Sequence, residues 1–140
     1  MTDTTKQVMS GAGGLGMLVG IMSVLVGSQT LLGLTNPGYV TLDWLVAYNM
    51  ALGVLAVFVG AAIRQHRQWT PKAAAGIFAA HFAVLGVVVA LWSSSAAAPE
   101  SVYAMLFRSV LWAGIAVVVW KVLGTKAAEP EPARAKRART

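Results

Sequence analysis

The chain has 140 residues, 57% of them apolar and only 11% charged, whereas charged residues make up about a quarter of a soluble domain. With so little polar sequence outside the apolar segments, no separate aqueous domain is expected. There is no cysteine, which excludes disulfides, thiolate metal sites and cysteine nucleophiles. The net charge of +6 comes from basic residues lying between and beyond the apolar segments, so it is expected to mark one membrane face and not a nucleic-acid site.

In chain order, residues 1–10 carry Lys6 and lead into a first apolar run, Gly11 to Leu34. That run is longer than the hydrophobic core of a secretory signal and has no clean small-x-small cleavage site after it, so it is expected to be retained as a membrane span. Asn36-Pro37-Gly38 is turn chemistry. The second run, Leu42 to Ile63, opens beside Thr41 and Asp43, either of which can cap a helix, and Asp43 complements the positive end of its dipole. Arg64, Arg67 and Lys72 follow. Thr70-Pro71 reads as an N-cap with proline at the first helical position, ahead of the third run, Ala73 to Trp92. Pro99-Glu100-Ser101 starts the fourth, Val102 to Trp120.

Beyond Gly124 the composition shifts to Glu129-Pro130-Glu131-Pro132 and then Arg134, Lys136, Arg137 and Arg139. Alternating proline and charge cannot build a packed core, so residues 125–140 are expected to form a disordered basic tail. Anionic lipid headgroups would attract it by about 1 kcal/mol per basic residue near the surface. A tail that only solubilises the chain is the competing reading.

Each apolar run is close to the ~20 residues that span a bilayer as a helix, and helices satisfy their own backbone there. The fold class is therefore all-α: a polytopic bundle of four transmembrane helices with short loops. The loops Thr35–Thr41 and Ser93–Ser101 contain no lysine or arginine. The positive-inside rule then places both termini and the middle loop in the cytoplasm, as in a bacterial inner membrane. Tyr39, Trp44, Trp69, Trp92, Tyr103 and Trp120 fall near the expected interfaces, where aromatic rings anchor spans.

Small residues recur at helical spacing. The first span has Gly13, Gly16, Gly20, Ser23, Gly27 and Thr30, the second Asn49, Gly53, Ala56 and Gly60, and the third Gly76, Ala79, Ala83, Gly86 and Ala90. Such stripes permit close helix approach, the main source of association where lipid removes the hydrophobic driving force. Gly16, Gly20, Gly27, Gly53, Gly60 and Gly86 are accordingly the expected packing glycines.

Four polar residues lie within the spans: Gln29, Asn49, His81 and Arg108. Asn49 shares the small stripe of the second span and is expected to hydrogen-bond a neighbouring helix. His81 and Gln29 lie opposite their own small stripes. If those stripes form the internal seams, both residues point to the bundle periphery, where a polar group needs a partner: either the third span is packed on both sides within the bundle and His81 is a hydrogen-bonded packing residue, or its face meets another protein or a second copy of this chain. Arg108 can reach outer headgroups, pair with Asp43 or Glu100, or contact an anion, quinone or lipid headgroup.

No intramembrane carboxylate pair, HExxH element or Ser-His-Asp set is present, so no catalytic centre and no metal or cofactor site is assigned. The sequence favours a small membrane protein acting through helix contacts, either an accessory subunit of a larger assembly or a homo-oligomer. The alternative is a small transporter, channel or quinone- or lipid-binding protein that uses the intramembrane polar residues.

Overall fold

The structure is a computed structural model that describes residues 1–124; the basic tail read from the sequence lies outside the described residues. It contains α1 (Asp3–Leu31), α2 (Asp43–Arg64), α3 (Thr70–Ser93) and α4 (Pro99–Val119). A wider π-type turn over Trp120–Gly124 continues α4. All four helices are long and apolar enough to cross a membrane, as in an integral membrane protein.

Local chemistry moves several helix ends from their expected places. α1 begins well before Gly11, because Thr2 accepts a hydrogen bond from the Thr5 amide at 3.3 Å and Asp3 sits in the first turn, where its charge meets the helix dipole. At 1.5 Å per residue this helix is about 43 Å long, more than the ~30 Å of hydrocarbon in a bilayer. Its polar first turns therefore project beyond the apolar layer or the helix tilts. The helix stops at Leu31 and Gly33 takes a positive φ of 68°, so Leu32 to Leu34 belong to the exit from the span.

Capping also departs from expectation. Leu42 occupies the N-cap of α2 without any side-chain bond, so neither Thr41 nor Asp43 caps it; Asp43 lies in the first turn. Thr70 is already helical, and its hydroxyl donates to the Arg67 carbonyl at 2.7 Å. In the α1–α2 loop the Gly38 amide donates to Asn36 Oδ1 at 3.1 Å, closing the turn.

α1 packs mainly on α2 and α3 mainly on α4, while the α1–α4 and α2–α3 seams are thinner. Backbones meet directly in the first pair. A Cβ on Gly20 would stand 2.5 Å from the Gly53 carbonyl, and one on Gly60 would stand 2.6 Å from the Gly13 carbonyl. Gly27 has no room beside Met50, and Gly16 lies against the ring of Trp112 in α4.

The third stripe behaves oppositely. A Cβ on Gly76 or Gly86 would meet nothing, and Ala79, Ala83 and Ala90 are exposed with them. Gly86 is therefore not a packing glycine within this chain. The face that α3 turns inward is instead that of Ala74, Ile77, His81 and Val88, while Phe82, Val87 and Trp92 stay outside with the glycines. The inward residues give α3 its grip on the bulky Trp112, Ile115 and Met105 side of the bundle. The six interfacial aromatics, by contrast, all face outward.

Two apolar clusters divide the core along its length. Met9, Ile63, Ala74, Val119 and Leu123 collect at the end that carries the N-terminus and the α2–α3 loop, and the cluster runs up through Ile77, Ala56 and Trp112. A smaller one, Leu45, Val88 and Met105, lies toward the other two loops. The polar side chains sit between them.

Candidate functional site: a polar layer around Arg108

Arg108 lies about 13 Å along α4 from Pro99, near the middle of the bundle. A charge at such a depth is disfavoured by about 2.5 to 3.5 kcal/mol on insertion scales, so its partners matter. Nη1 donates to the Ala104 carbonyl at 3.2 Å, one turn back on its own helix. Nη2 donates to Ser23 Oγ of α1 at 3.4 Å. Nε is buried without a hydrogen-bond partner. Among the described residues no carboxylate pairs with it, and neither Asp43 nor Glu100 reaches the guanidinium. Among the described residues the oxygens that accept from Arg108 are neutral, so they give the cation solvating dipoles but no counter-charge.

Asn49 also differs from expectation. Its Oδ1 is buried and has no hydrogen-bond partner; Ser23, which borders the same cavities from α1, is engaged by Arg108. His81 is buried, at 3% exposure, and not peripheral. Its Nδ1 shares a 3.3 Å hydrogen bond with the Tyr48 hydroxyl, and the two rings meet edge to face with centroids 5.8 Å apart. Of the two readings open for it, the structure agrees with the hydrogen-bonded packing histidine and not with the peripheral contact, because the glycine and alanine stripe of α3 lies on its outer side. Gln29 is exposed toward the loop end of α1.

The cavities show which of these residues the fold unites. Asn49, His81 and Arg108 line one small void of about 10 Å³ together with Ser23 and Trp112, close to the lower limit for a single water molecule. Above it, a cavity of about 340 Å³ opens between α1, α2 and α4 toward the α1–α2 loop. Arg108, Asn49 and Ser23 line its depth, and Gln29, Thr30, Thr35 and Tyr39 line its loop end. All four sequence-selected residues thus border two adjoining cavities, with Arg108 and Asn49 in both.

Sequence reasoning missed Tyr48 and Ser23. Tyr48 adjoins Asn49 and lies within the second span, too far from either end to be an interfacial anchor, which was the available signal. Ser23 was read only as a small residue, although a hydroxyl inside an apolar span needs a partner.

Chemically, the arrangement offers a cation, a half-buried amide and several hydroxyls bordering a cavity. It can hold an anionic or strongly accepting group. Among the described residues no group of three or more histidine, cysteine and acidic side chains could hold a metal. No protein-family model, curated protein sequence or solved structure matches this chain.

Proposed function

We propose that this protein is a small integral membrane protein that binds an anionic group, with Arg108 as the charge partner and Ser23 and Asn49 as polar neighbours. The observation that carries this reading is a half-buried guanidinium with no carboxylate partner among the described residues, its Nε buried without a hydrogen bond, bordering a cavity of about 340 Å³. An anion there would supply the missing counter-charge in a medium of low dielectric, where the attraction is strong. It would also use the donor capacity that the protein leaves unused at Arg108 Nε, while Asn49 Oδ1, an acceptor, would be met by a bridging water or by a protonated oxygen of the ligand.

The distribution of basic residues supports an orientation in which the cavity opens outward. Lys6, Arg64, Arg67, Lys72 and Lys121 cluster at the opposite end, next to the apolar core, and the two loops at the cavity end have none. By the positive-inside rule both termini are cytoplasmic, in a membrane of the bacterial inner type. A reporter joined after Thr140 should be cytoplasmic and one placed near Gly38 or Ala97 external.

Binding is tested by the thermal stability of the protein in neutral detergent with added inorganic phosphate or dodecyl phosphate. A ligand that binds only the folded state adds RT ln(1 + [L]/Kd), about 2.7 kcal/mol at a hundredfold excess over Kd. Arg108→Gln removes that increment.

One observation favours a second reading, that of an accessory subunit or homo-oligomer. The outer face of α3 presents Gly76, Ala79, Ala83, Gly86 and Ala90 exposed, with no helix against them among the described residues, and such a face suits close approach by another span. His81 no longer supports that reading, since Tyr48 already accounts for it. Gly76→Leu with Gly86→Leu should lower the apparent mass in detergent if the face is occupied by another chain.

A further inference from the structure

The geometry points to a lipid-like ligand: an anionic amphiphile whose headgroup sits at Arg108 and whose hydrocarbon chain lies along the outer flank of the α1–α4 seam. This rests on the anion-site reading and adds the nature of the ligand and its route. Arg108 lines not only the cavity that opens toward the loops but also a second, mostly apolar cavity of about 450 Å³ walled by Leu18, Met22, Val26 and Phe107. Ser23, Val26, Ala104 and Arg108 border both. The charged centre therefore has two approaches, one past the loops and one from the side.

The lateral approach has the character of the lipid around it. Leu18, Met22 and Phe107 are 57%, 49% and 58% exposed, on the surface where acyl chains would lie. Beyond Phe107 the flank continues into another apolar cavity of about 490 Å³, bordered by Leu15, Val110 and Gly114. A chain anchored at Arg108 thus has a continuous apolar bed toward the opposite end of the bundle. The bed exists because α1 packs closely on α2 but only thinly on α4.

Charge complementarity decides between this occupant and ordinary boundary lipid. Hydrocarbon gains little by moving from lipid to a leucine-lined surface, since the two are equally apolar. The tail therefore cannot provide the selectivity; the guanidinium does, and the groove lets a membrane-dissolved anion reach it without crossing the loops. The molecule contains its own control. A groove between α1 and α2, lined by Leu25, Val54 and Phe58 and of about 340 Å³, is equally apolar and has no cation.

The experiment uses the full chain in phosphatidylcholine nanodiscs with a trace of an alkyl phosphate that carries a diazirine in its chain. After photolysis, peptides containing Leu18, Met22 and Phe107 should be labelled severalfold above those containing Val54 and Phe58. The excess should vanish in Arg108→Gln and for a phosphatidylcholine bearing the same diazirine. Met22→Trp changes an exposed wall residue outside the anion contacts, so it should keep stabilisation by inorganic phosphate while losing the excess labelling. Equal labelling of the two grooves by the alkyl phosphate would overturn the lipid assignment. If inorganic phosphate still stabilised the wild type and not Arg108→Gln, the anion site would stand without its tail. If neither probe responded to Arg108, the site itself would fall with it.

Discussion

The two ends of the bundle are built differently. At the end with the N-terminus, Met9, Ile63, Ala74, Val119 and Leu123 are all almost fully buried, and the Gly13–Gly60 approach closes α1 on α2. At the loop end the buried apolar cluster shrinks to Leu45, Val88 and Met105, and a cavity floored by Arg108 takes the place of packed side chains. The contrast shows that packing energy is concentrated in one half. The other half can then keep an unpaired cation and an unsatisfied amide, features that would be costly in a uniformly packed core.

Breaking the closed half should have the largest effect. Gly20→Leu or Gly53→Leu places side-chain atoms where a Cβ already comes within 3 Å of the opposing carbonyl. Overpacking an ordinary core costs about 1 to 3 kcal/mol, and a backbone–backbone contact has less freedom to yield. Folded yield in detergent should collapse, while Leu25→Phe on the exposed face of α1 should be tolerated. Comparable yields for all three would show that the α1–α2 seam does not hold the bundle.

Trp112 marks the boundary between the halves, 1% exposed and in contact distance of Gly16. Trp112→Ala should destabilise by about 3 to 5 kcal/mol, the range for large aromatic truncations in cores, read as a lower denaturation midpoint. An unchanged midpoint would mean that the polar layer is not supported from below. Within the layer, Tyr48→Phe removes the bond to His81; polar contacts between membrane helices average about 0.6 kcal/mol. A small shift in melting temperature with intact anion response is expected, and loss of the anion response would make Tyr48 part of the site. Smallest of all should be Gly86→Leu, which meets open space and should leave the monomer's stability unaltered.

The four spans were legible because hydropathy and length together leave few alternatives for a segment such as Leu42 to Ile63. Helix ends were less so. Thr2, Asp3 and Lys6 form good helical turns outside the apolar stretch, and hydropathy does not register them. The stripes on α1 and α2 could be recognised because glycine on both partners is needed for carbonyls to meet Cα atoms at Gly20 and Gly53. On α3 the same pattern pointed the wrong way: a stripe of small residues can face a neighbour or lie outside, and the choice depends on what the neighbouring helix offers. Here Trp112 and Met105 of α4 are met by Ile77, His81 and Val88. That single rotation carried His81 inward and Gly86 outward. Arg108 was identifiable as an intramembrane charge, but its lack of an acidic partner depends on three-dimensional placement of Asp43 and Glu100, which spacing alone does not give.

The central claim is that Arg108 is the charge partner of an anion. The most direct measurement is the melting temperature of the purified protein in neutral detergent across a titration of dodecyl phosphate, compared with Arg108→Gln and with dodecanol as the uncharged probe. The account predicts a saturable rise for the wild type with dodecyl phosphate only. An equal rise in Arg108→Gln, or an equal rise with dodecanol, would contradict it.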